Sequence, residues 1–90
     1  MQDGIKIVLV DYENQILFEH LIPDGIDVIY AKENMVVLGV LSEENKALGV
    51  GIFREINHHM ELIWIYVVPE ARGRNLGTAI EERLLATESA

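Results

Sequence analysis

Residues 61–86 read ELIWIYVVPEARGRNLGTAIEERLLA, and this stretch decides the fold. Its first part, Glu61 to Val67, is an apolar run rich in branched and aromatic side chains, the composition of a largely buried β-strand. Val67-Val68-Pro69 ends that strand, because proline cannot donate to a ladder and restricts the residue before it. Arg72-Gly73-Arg74-Asn75-Leu76-Gly77 follows as a short loop with two cations and two glycines. Leu76, Ile80 and Leu84 then recur every four residues, a helical period. A strand, a basic glycine-containing loop and a helix start together present backbone N–H groups to an anion such as a phosphate. The other reading of the loop is an ordinary strand-to-helix turn with solvated arginines.

Working outward, Ile5 to Val10 reads as a first strand. Asp11 can cap a following helix, with Glu13 in its first turn and Ile16, Leu17, His20 and Leu21 on one face. Pro23 and Asp24-Gly25 stop that helix, and Ile26 to Tyr30 reads as a short extended piece. Met35 to Leu41 and Ala47 to Ile56 read as strands joined by the polar turn Ser42 to Lys46. Asn57-His58 turns the chain into the Glu61–Val67 strand. Connections this short dictate an antiparallel meander, and helices before and after it would cover its faces. The expected class is α/β of the α+β type, a mainly antiparallel sheet flanked by helices, in one domain over residues 1–90.

Val67-x-Pro69-x-x-Arg72-Gly73-x-x-x-Gly77 resembles the signature of the GNAT N-acetyltransferases, commonly V-x-P-x-x-R-G-x-G-x-G/A followed by a helix. The resemblance implies acetyl-CoA as cosubstrate and transfer of its acetyl group to an amine, on a small molecule or a protein. In that family the strand before the loop hydrogen-bonds the pantetheine arm, which assigns Ile65 and Val67 to that task. The loop and helix start hold the pyrophosphate, which assigns Arg72, Gly73, Arg74, Asn75, Leu76, Gly77 and Thr78. Asn75 stands where the family usually has its middle glycine. Asparagine is one of the few other residues that tolerate φ > 0, so the loop conformation stays accessible.

In some members a glutamate six residues before the signature valine is the general base, and Glu61 stands at that offset from Val67. Simple alternation puts Glu61 on one strand face with Ile63, Ile65 and Val67, and Leu62, Trp64 and Tyr66 on the other. Partial burial on that apolar face would raise its pKa toward the working pH. The alternative for Glu61 is an exposed strand start paired with a cation such as Arg54. Trp64 and Tyr66 read as core aromatics against a helix. Gly39, Gly49 and Gly51 mark bulges or close packing.

The element order resembles the first half to two-thirds of a GNAT domain, and the sequence stops after the motif helix. The family's later strands and helix complete the sheet and half of the acceptor site. Without them the Glu61–Val67 strand and the motif helix expose apolar surface and a sheet edge. The expected partner is therefore a second copy of the chain, in a homo-oligomer, or the remainder of a longer protein. The competing reading is a half-domain that binds coenzyme A or another chain without catalysis.

Composition narrows the field further. The formal charge is −8, with only seven lysines and arginines. Nucleic-acid binding is not expected, since neutralising phosphates takes clustered cations. No apolar run approaches the roughly 18 residues that span a bilayer, so no membrane partner is expected. The start MQDGIK lacks the basic segment and apolar core of a signal peptide, and the sequence contains no cysteine. A cytoplasmic location is the expectation. His58-His59 are strand neighbours that point to opposite faces, so no metal is expected. Neither G-x-x-x-x-G-K-[ST] nor G-x-G-x-x-G occurs in the sequence.

Overall fold

A computed structural model describes residues 4–28 and 34–89. Four antiparallel strands form one sheet in the order β1-β2-β3-β4: β1 Ile5–Leu9, β2 Met35–Ser42, β3 Ala47–Ile56 and β4 His59–Val67. An α-helix, α1 Leu76–Ser89, follows β4. The meander and its polar turns stand where the hydrophobic runs place them. Asn57 and His58 both take positive φ, 52° and 68°, and connect β3 to β4 as a two-residue hairpin. Such a turn matches the right-handed twist of the strands it joins.

The segment after β1 differs from the expected helix. Asp11 Oδ1 accepts hydrogen bonds from the Glu13 and Asn14 N–H groups at 2.9 and 3.0 Å, and Asn14 Oδ1 accepts from the Asp11 N–H at 2.8 Å. These local bonds tie the backbone into a tight turn and compete with an α-helical start. Two 3₁₀ turns result, Gln15–Leu17 and Glu19–Leu21. The expected apolar face is correspondingly wrong. Ile16 is 73% exposed and Leu17 also faces solvent, whereas Leu21 and the unforeseen Phe18 are buried. Ile26 to Val28 lies outside any strand, and residues 29–30 of the expected extended piece fall outside the described residues.

The sheet register defines two faces. Val37, Ile52 and Trp64 share one, and Leu38, Phe53 and Ile65 share the other. Phe18 packs on the first face, so closely that a Cβ at Gly39 would overlap its ring. The Trp64 indole N–H donates to the Leu21 carbonyl at 3.2 Å, so this aromatic meets a 3₁₀ turn and not an α-helix. Helix α1 covers the second face with Leu76, Ile80 and Leu84, all buried at the predicted spacing. A Cβ at Gly51 would come within 2.8 Å of Ile80 Cγ2, so that glycine lets the helix settle directly on β3. Burial of a side chain such as Ile80 contributes about 1.5–3 kcal/mol.

Candidate functional site

β4 is unpaired on its outer edge among the described residues, since its one sheet neighbour is β3. Val67 opposes Gly49, and the Val68 N–H donates to the Leu48 carbonyl at 2.9 Å. In an antiparallel ladder that combination makes Val67–Gly49 a non-hydrogen-bonded pair, whose N–H and C=O on the β4 side point away from β3. Ile65, two residues back and opposite Gly51, repeats the arrangement. The two residues assigned to the pantetheine arm thus carry the outward backbone groups. Their side chains lie on the α1 face.

The chain leaves β4 through Val68 and a 3₁₀ turn at Pro69–Ala71, then reverses at Gly73 with φ 84°. A Cβ at Gly73 would have no atom within 4 Å, so φ and not crowding demands glycine here. Asn75 takes φ 57°, the left-handed value this position required of it. Its carbonyl accepts the Ala79 N–H at 3.1 Å and starts α1. The next N–H groups, of Leu76, Gly77 and Thr78, belong to the helix's first turn, where no intrahelical acceptor exists. That turn carries no acidic side chain, so the positive end of the helix dipole is not offset locally.

Leu76 and Gly77 work through their backbones. The Leu76 side chain is buried, and a Cβ at Gly77 would stand 3.3 Å from Ile65 Cδ1. Gly77 therefore sets how near the helix start approaches the open strand. Thr78 is exposed, and with Asn75, Ala79, Arg83, Ile5 and Ile7 it lines an open groove of about 900 Å³ between α1 and β1. Arg72 and Arg74 are exposed on either side of Gly73. Arg72 turns back on the strand: its Nε–H donates to the Val67 carbonyl at 2.9 Å, and its guanidinium carbon lies 5.6 Å from the Tyr66 ring centroid. No sequence signal announces that contact.

Glu61 stands apart from this group. The register shifts between Ile52 and Phe53, because Trp64 opposes Ile52 while Leu62 opposes Phe53. Ile63 is the extra residue of a β-bulge, which changes the alternation on its far side. Glu61 consequently shares a face with Trp64 and Tyr66, not with Ile65 and Val67 as simple alternation required. It is exposed and directly opposite Arg54, so the partial burial expected of it is not found. His58 and His59 are exposed at the hairpin, and no metal-binding group of acidic or histidine side chains forms among the described residues. Among those residues no helix is long and apolar enough to cross a membrane.

A family model described as the acetyltransferase (GNAT) family matches residues 6–87. No curated protein and no solved structure matches the chain.

Proposed function

The chain belongs to the acetyltransferase (GNAT) family, a family of acyl-transfer enzymes, and from that premise we propose that it binds acetyl-CoA and passes the acetyl group to an amine. One observation carries the proposal: the open edge of β4, with Ile65 and Val67 directing backbone groups outward, ends at the unoffset positive end of α1. An extended amide arm can add to such an edge by main-chain hydrogen bonds, while a diphosphate sits at the N–H groups of Leu76, Gly77 and Thr78. Arg72 and Arg74 place two of the chain's seven lysines and arginines in this loop.

The arm would lie along β4 and carry the thioester toward Glu61, which is about 20 Å from Val67 at the usual rise per strand residue. Glu61 is our candidate for taking the proton from the acceptor amine, directly or through water, so that the nitrogen can attack the thioester carbonyl and expel the thiolate. Glu61→Gln should lower turnover while leaving acetyl-CoA affinity unchanged. An equal loss of both would remove Glu61 from this role.

Calorimetric titration of acetyl-CoA into the chain tests the binding step, with one site per chain expected. No heat at millimolar ligand would sink the reading. A second reading is a module that binds coenzyme A, or another chain, without turnover. It is favoured by the exposure of Glu61 opposite Arg54. Binding without transfer to any amine in an acceptor screen would select it. Leu62, 40% exposed on the open strand, favours association with a second copy, and sedimentation velocity over a concentration series reads that directly.

A further inference from the structure

One arginine of the loop, Arg72, turns back onto the strand it follows. Arg72 is committed on two sides. Its Nε–H holds the Val67 carbonyl at 2.9 Å, and its planar head lies over Tyr66 within cation–π range. The Val67 carbonyl is the last one β4 directs outward before the chain turns away at Pro69. β4 has no sheet neighbour on that side among the described residues, so a charged donor on its outer carbonyl stands in for the missing strand.

We propose that Arg72 is a positioning residue for the acyl-pantetheine arm, not a ligand of the diphosphate. It fixes the Ile65–Val67 edge on which the arm is received. The proposal rests on the acetyl-CoA reading above. Only a guanidinium can make this arrangement, because a lysine ammonium has neither the Nε–H fork nor a flat face to lay on Tyr66.

Two thioesters separate the roles: acetyl-CoA, and S-acetyl-pantetheine, which lacks the diphosphate and the nucleoside. Dissociation constants for both would be measured at two salt concentrations in wild type, Arg72→Gln and Arg72→Lys. Losing one charge-assisted hydrogen bond should weaken both ligands alike, roughly threefold to tenfold, in both variants. The salt dependence of acetyl-CoA binding should keep its slope. A loss confined to acetyl-CoA, rescued by lysine and accompanied by a shallower salt slope, would make Arg72 a phosphate ligand and overturn the proposal. Variants binding both ligands like wild type would overturn it as well. Failure of wild type to bind either thioester would instead remove the acetyl-CoA reading, and this inference with it.

Discussion

β3 and β4 are neighbours of similar apolar character, yet they lead different lives. From Ala47 to Phe53 every residue of β3 is buried, closed in by strands on both edges, α1 on one face and Phe18 on the other. From Ile63 to Val67 every residue of β4 is only half-buried, although ELIWIYV is the stretch most suited to a core. Hydrophobicity made both strands; position in the sheet decided which one was sealed. An apolar strand kept at an edge retains outward backbone groups, and those are what a ligand or a further strand can use.

The contrast should be largest in stability. Ile80→Ala, under the helix and against β3, is expected to lower the unfolding free energy by about 3 kcal/mol. Ile65→Ala on β4 should cost only about 1 kcal/mol, since less surface returns to water. Urea midpoints with an unchanged m-value would measure both, and equal losses would break the distinction between the strands. Next in size, Gly77→Leu should weaken acetyl-CoA more than tenfold, because the new side chain must push on Ile65 or stand over the helix start. Its effect on folding should stay near 1 kcal/mol, the scale on which a helical glycine differs from other residues. A large loss of stability with normal affinity would place Gly77 in the sealed half instead.

The smallest effects belong to Asn75, whose φ of 57° is that of a glycine position. Asn75→Ala should cost about 1 kcal/mol in thermal unfolding, whereas Asn75→Gly should be neutral within roughly 0.5 kcal/mol. If glycine also tightens acetyl-CoA, the asparagine side chain crowds the diphosphate. Unchanged affinity would show that only its backbone matters.

These expectations divide along the line between what local sequence encodes and what cross-strand contacts decide. The meander was legible because polar turns interrupt runs of branched residues, and α1 because Leu76, Ile80 and Leu84 repeat at one helical spacing. The basic loop was legible because glycine and asparagine are the residues that its positive φ values admit. The region from Asp11 to Leu21 was misread because it has a helix's apolar spacing, while Asp11 and Asn14 side chains close a turn that the spacing does not reveal. The face of Glu61 was misread for a different reason. A bulge at Ile63 is set by how β4 meets β3, and no feature of IWIYV marks where the extra residue will sit. Arg72 was legible as a cation of the loop, but its bond to Val67 depends on a carbonyl left without a neighbour.

The Asn57–His58 hairpin has a consequence for how the molecule assembles. β2, β3 and β4 follow one another through short turns, so their ladders form between residues close in sequence, and such hairpins close within about 1–10 μs. β1 must instead reach β2 across a separation of about 25 residues in sequence, for which the closure entropy is larger. Local contacts of this kind speed folding. The open strand would then be paired with β3 before β1 arrives, so a refolding chain would hold its open β4 edge before its own first strand had docked.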